Sequence, residues 1–141
     1  GSIGMLEKGK GQKYLFEAVA KLKSEGIINI VCIICGTGPE ESKLKEFVRA
    51  RGLAGEVLFL GYRNDIPRIL KKLDIIVVTS LTIEACPLSV IEAMSMKVPV
   101  IGTNISGLPE MVEDGKTGII IPPANVNALC EAIRNEAATG Y

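Results

Sequence analysis

The hydrophobic positions of this chain change period several times, and each change marks the edge of an element. From Gln12 to Ser24, Leu15, Phe16, Val19 and Leu22 recur at helical spacing, and Gly26 supplies the stop. Ile28 to Cys35 is nearly all Ile, Val and Cys, the pattern of a parallel strand buried on both faces. Gly36-Thr37-Gly38-Pro39 turns the chain into a second predicted helix, with Pro39 in its first turn and Leu44, Phe47 and Val48 on one face; Gly52 ends it. Glu56 to Leu60 reads as a short strand closed by Gly61, and Asp65 as the N-cap of a helix from Ile66 to Leu73. Ile75 to Val78 is the next strand, and Pro87 opens a helix through Ser95. Val98 to Gly102 is a strand, Pro109 to Val112 a short helix and Gly118 to Ile121 a last strand. Asn125 caps a helix running toward Ala138.

This β/α alternation with short connections predicts an open, mostly parallel, Rossmann-like α/β sheet with helices on both faces. The opening Ile3–Leu6 stretch is only a stub of a strand, and the last helix has no stop signal. Residues 1–141 are therefore expected to be a single domain belonging to a longer chain.

Composition and charge narrow the function classes. The chain is 48% hydrophobic but only 4% aromatic, which suits an Ile/Val/Leu/Ala core between a sheet and its helices. Net charge is zero, so no global field draws the protein to nucleic acid or to a membrane surface. The balance hides an asymmetry: residues 1–72 carry 13 Lys and Arg against 8 acids, and residues 73–141 carry 3 against 8. No apolar run approaches the ~18 residues a membrane span needs. Cys32 and Cys35 have CxxC spacing but lie in a predicted strand, where positions three apart point to opposite faces. With Cys86 and Cys130 they read as reduced thiols in a cytoplasmic protein, at most peripheral to the inner face of a membrane.

In open α/β sheets ligands bind beyond the carboxyl ends of the strands. The segments that follow the strands are Lys8–Gly11, Gly36–Gly38, Tyr62-Arg63, Thr79–Cys86 and Asn104–Gly107. Helices beginning near Pro87 and Leu108 would aim backbone N–H groups at that edge, a ready anion site. Glu84 in the loop and Glu92 in the helix can accept hydrogen bonds from sugar or ribose hydroxyls. Gly36-x-Gly38 lacks the third glycine of a dinucleotide fingerprint, no Gly-Lys-Ser/Thr occurs, and the chain has no His to serve as general base. The residues thus point to a ligand bearing phosphate and hydroxyls, without an obvious acid–base pair.

Ser80-x3-Glu84-x7-Glu92-Ala-Met resembles the glutamate–seven–glutamate motif of the retaining GT-B glycosyltransferases, specifically their C-terminal, donor-binding domain. Lys10-Gly11, Cys35-Gly-Thr-Gly-Pro39, Val57-x-Phe-x-Gly61-Tyr62, Pro99-Val-Ile, Gly107-Leu-Pro-Glu110 and Gly115-x-x-Gly118-x-x-x-Pro122-Pro123 follow the same family order. The resemblance spans Gly4 to about Ala138. It implies that Lys10, beside Gly11, contacts the donor diphosphate, and that backbone amides near Leu88 and Ser89 cap the phosphates. By the same likeness Gly38 lies in the donor site, Glu92 holds the ribose, and Tyr62 and Arg63 border the base. Glu84 would hold hydroxyls of the transferred sugar, the one catalytic assignment. The implied activity is transfer of a hexosyl-type group from a nucleotide-sugar to a sugar, lipid or polysaccharide acceptor held by an N-terminal domain outside this chain. No cofactor and no metal are expected. Chemistry would rest on stabilising the leaving diphosphate. Three positions depart from the family pattern: Met5 where an arginine is usual, and Ala85 and Ser106 where glycines are common. A sugar-nucleotide epimerase of similar build, or an inactive binding module, are the alternatives.

Overall fold

The computed structural model describes residues 1–83 and 87–138. Six short strands, β1 (Ser2–Ile3), β2 (Cys32–Cys35), β3 (Val57–Gly61), β4 (Ile76–Val78), β5 (Val100–Thr103) and β6 (Gly118–Ile121), alternate with helices. The helices are α1 (Gln12–Ser24), α2 (Glu41–Ala50), α3 (Ile66–Leu70), α4 (Leu88–Ser95), α5 (Leu108–Met111) and α6 (Val126–Ala138), with a 3-10 turn at Lys8–Lys10. All strand pairs are parallel, in two hydrogen-bonded triplets, β1-β2-β3 and β4-β5-β6. Gly1 joins them. Its amino group donates to the Ile75 carbonyl at 2.8 Å, and its carbonyl accepts from the Val77 N–H at 2.8 Å, the bonding pattern of a parallel ladder. The strands therefore lie in the order β3-β2-β1-β4-β5-β6, and the direction of winding reverses between β1 and β4.

The apolar pattern explains the layering. On one face Leu15, Phe16, Val19 and Leu22 of α1 pack with Val48 of α2 and Leu129 of α6 against Ile34, Val57, Val77 and Ile101. Phe16 is fully buried there, edge-on to Phe59 at 5.9 Å and tilted against Phe47 at 6.4 Å. On the other face Leu70, Val90, Ala93, Leu108 and Val112 cover Ile76 and Val100. The expectation of helices on both faces of an open parallel sheet is met. Among the described residues no helix is long and apolar enough to cross a membrane.

Several predicted boundaries move. The second strand begins at Cys32, four residues later than the hydrophobic run suggests, because β1 and β3 offer pairing partners only from there; Ile28 and Val31 are exposed. Pro39 lies in a turn ahead of α2, whose first residue is Glu41. The Glu40 N–H is committed to the Leu6 carbonyl at 2.9 Å, which holds that turn against the β1 loop. Helix α3 stops at Leu70, and Asp65 makes no side-chain cap to it, since its carboxylate is engaged by Arg63. Asn125 does cap α6, accepting from the Ala128 N–H at 2.9 Å. Cys32, Cys35 and Cys130 are buried free thiols, and burial pushes the Cys32 thiol up to about 11, which suppresses thiolate chemistry. Cys86 lies outside the described residues.

Candidate functional site

The reversal point between β1 and β4 opens at the carboxyl ends of the strands into a cleft of about 320 Å³. Its walls come from β1 and the residue after it (Ser2–Gly4), from Lys10 and Gln12, from Val77–Ser80 and from the first turns of α4. Ile66 of α3 closes one side. A larger cleft of about 590 Å³ lies at the opposite ends of the strands, lined by Asn29–Ile33, Lys72–Ile75 and α6. Among the described residues no helix N-terminus opens onto it and no predicted site residue lines it. Chemistry therefore favours the smaller cleft.

Helix α4 supplies the polar wall. Pro87 sits at its N-cap with extended backbone, and no side chain caps the turn. The first amides used inside the helix are those of Val90 and Ile91, both reaching the Pro87 carbonyl. The Leu88 and Ser89 N–H groups, which precede them, are first-turn donors that the helix itself does not use, and the first turn carries no acidic side chain. Glu92 follows Ser89 by three positions, so helical spacing puts both on one face, and both line the cleft. Val90 and Ala93 occupy the opposite, fully buried face. Lys10 is the one cationic lining side chain among the described residues and Glu92 the one anionic.

The predicted residues divide into three groups. Lys10, Leu88, Ser89 and Glu92 come together in the cleft. Gly11 and Gly38 are supports behind it. Gly11 has a left-handed φ of 65°, and a Cβ there would overlap the Thr79 carbonyl oxygen; a Cβ on Gly38 would come within 2.7 Å of the Leu6 nitrogen. Tyr62 and Arg63 do not line the cleft. They lie at the end of β3, two strands from β1, with Tyr62 79% exposed. The Gly36 N–H donates to the Gly61 carbonyl at 2.8 Å, which ties that corner to the end of β2. Arg63 grips Asp65 through two bonds of 2.8 and 2.7 Å. Those bonds hold the Asp65 carboxyl down to about 2, so the pair stays ionised at neutral pH. Glu84 and Ala85 lie outside the described residues. Leu108 of α5 is a core residue rather than a second cleft terminus. Met5 is exposed and contributes its carbonyl, which accepts from the Gln12 side-chain amide at 2.9 Å.

Sequence reasoning placed Thr79 and Ser80 on the ligand edge without reading them as buried, and overlooked Ser2, Gln12 and Thr103. Ser2, Gln12, Thr79, Ser80 and Thr103 are the buried polar side chains of the described residues; four of them line the cleft, and Thr103 bonds to one of the four. The signal was present: Thr79-Ser80 and Thr103 each close an apolar strand, where a core would call for another Val or Ile.

Comparison with known proteins identifies the fold's relatives. Residues 1–135 match the family model described as glycosyl transferases group 1. The chain is 29% identical over 133 residues to an alpha-D-kanosaminyltransferase of Streptomyces kanamyceticus, covering 93% of this chain and 34% of that protein. It is 30% identical over 135 residues to the putative colanic acid biosynthesis glycosyltransferase WcaL of Salmonella typhimurium, covering 91% and 33%. The chain thus spans about a third of the curated relatives it matches. Among solved structures, Anabaena HepE in complex with UDP superposes with a TM-score of 0.86 at 28% identity, covering 97% of this chain and 39% of that one. On that match, and on the arrangement of strands and cleft, the chain belongs to the glycosyl transferases group 1 family and has the Rossmann-like fold of GT-B glycosyltransferases.

Proposed function

We propose that this chain is the nucleotide-sugar-binding domain of a retaining hexosyl-type glycosyltransferase, and that the donor is a uridine diphosphate sugar. The observation that carries the reading is the convergence of Lys10, the Leu88 and Ser89 amides and Glu92 on one cleft at the sheet's reversal point. A diphosphate needs cation and N–H donors together, and a ribose needs a carboxylate acceptor a few ångströms away; α4 presents both on one face. HepE binding UDP and UDP-glucose supports uridine as the base.

In the proposed reaction an acceptor hydroxyl attacks the anomeric carbon from the side the diphosphate leaves. The carbon–oxygen bond to the β-phosphate breaks, the hydroxyl proton passes to the departing phosphate oxygen, and configuration is kept. Lys10 and the α4 amides stabilise the charge that develops on the diphosphate. Glu84 positions the sugar, and Tyr62 with Arg63 borders the base. No metal or cofactor enters this scheme. The acceptor, whether sugar, lipid or polysaccharide, would be held by an N-terminal domain, so the 141-residue chain alone should bind donor and transfer nothing.

Calorimetry tests the reading. UDP should bind at least tenfold more tightly than uridine, and the difference should shrink as salt rises, because it comes from a Lys10–phosphate contact that ions screen. GDP and ADP should bind more weakly than UDP. Equal affinity for UDP and uridine would remove the diphosphate site, and a preference for GDP or ADP would change the base.

A further inference from the structure

Lys10 sits between two glycines, and both are pressed against the segment that follows β4. A Cβ on Gly9 would meet the Thr82 hydroxyl at 2.6 Å, and one on Gly11 would overlap the Thr79 carbonyl oxygen. Hydrogen bonds lock the same contact. The Thr79 hydroxyl donates to the Lys10 carbonyl at 2.9 Å, and the Leu81 N–H donates to the Gly9 carbonyl at 2.8 Å. One strand further on, the Thr103 hydroxyl donates to the Ser80 carbonyl at 2.7 Å. Thr79, Ser80 and Thr103 are 4%, 1% and 2% exposed, so water does not compete for these bonds.

We propose that Thr79 and Thr103 are positioning residues of the donor site, a relay that fixes the Lys10 loop and the Thr79–Thr82 segment as one unit. Thr103 holds the backbone at Ser80, Thr79 carries that register to Lys10, and the diphosphate contact is made from a fixed place at the end of β4. Neither threonine needs to touch the ligand. The role of the relay rests on the nucleotide-site reading above, but its geometry does not, and the two can be tested apart.

Thr79→Val keeps the side chain's shape and removes the hydroxyl. In the ligand-free chain, hydrogen exchange at the Gly9–Gln12 amides and at Leu81 should rise, with the far core unchanged. UDP affinity should fall about fivefold to tenfold, the scale of one lost buried hydrogen bond, while uridine affinity stays the same. Thr79→Ser, which restores the hydroxyl, should recover both. Thr103→Val should act in the same direction, and Lys10→Ala combined with Thr79→Val should lose little beyond Lys10→Ala alone, because the two act through one contact. Should Thr79→Val fail to fold, Thr103→Ser and Thr103→Ala carry the same comparison, serine retaining affinity and alanine losing it. The relay is overturned if exchange at Gly9–Gln12 is unchanged, if UDP and uridine weaken together, or if the serine variant behaves like valine. If exchange rises as expected while the unaltered chain does not prefer UDP over uridine, the nucleotide reading is what has failed, and the proposed purpose of the relay goes with it.

Discussion

Replacing Gly11 with alanine should leave a chain that no longer distinguishes UDP from uridine and that melts roughly 5–10 °C lower. Two costs add. Gly11 takes a φ of 65°, a conformation that costs an L residue about 1–2 kcal/mol. Its new methyl would also overlap the Thr79 carbonyl oxygen and approach the Leu81 side chain to 3.3 Å. Thr79 cannot yield freely, since its hydroxyl is bonded to Lys10 and its neighbour Ser80 is bonded to Thr103. Relief therefore comes from moving the start of α1, which carries Lys10 out of the cleft. Thermal unfolding and a UDP titration on the same sample measure both effects. A Gly11→Ala chain with unaltered melting and affinity would mean that the two loops are not packed as described.

Glu92→Ala is the second large effect, and it separates ribose from phosphate recognition. The carboxylate lines the cleft one turn below the Ser89 amide, where it can accept from both ribose hydroxyls. Loss of charge-assisted bonds of that kind costs about 1–3 kcal/mol, a roughly fivefold to 150-fold drop in UDP affinity. The fold should hold, because Glu92 is only half-buried and the core face of α4 belongs to Val90 and Ala93. Uridine, which has the same ribose, should weaken by the same factor. Inorganic diphosphate, which has none, should bind at least as well as before. If diphosphate weakens while uridine does not, Glu92 is serving the phosphate end and its assignment is wrong.

Element type was legible where apolar period and punctuation agreed. Helix α1 runs over the residues its Leu15–Leu22 stripe and Gly26 imply, and β6 coincides with Gly118–Ile121. Boundaries slipped where partners rather than propensity decide: Ile28–Val31 is apolar enough for a strand but has nothing beside it to pair with. Asp65 shows a second cause. A carboxylate at a cap position can be taken by a nearer cation, and Arg63 takes this one. In the site, Lys10 was named by the family likeness, and Glu92 and the helix start at Leu88-Ser89 by their place after a strand; the cleft brings the four together. Tyr62 and Arg63 follow a strand on the expected edge, yet their sequence position does not say how far β3 stands from the cleft. The threonine relay was hidden for another reason. Thr79 and Thr103 matter through carbonyls on other loops, 69 and 23 residues away, and no local pattern reports such pairs.

The central claim is that the cleft between the ends of β1 and β4 binds the diphosphate of a nucleotide-sugar, and amide chemical shifts read this directly. Titrating the isotope-labelled chain with UDP should shift the Leu88 and Ser89 amides and the Gly9–Gln12 segment most, in fast or intermediate exchange, with smaller changes near Gly61–Arg63. Shifts gathered at Asn29–Ile33 and along α6, around the larger cleft, or none at all at Leu88 and Ser89, would contradict it.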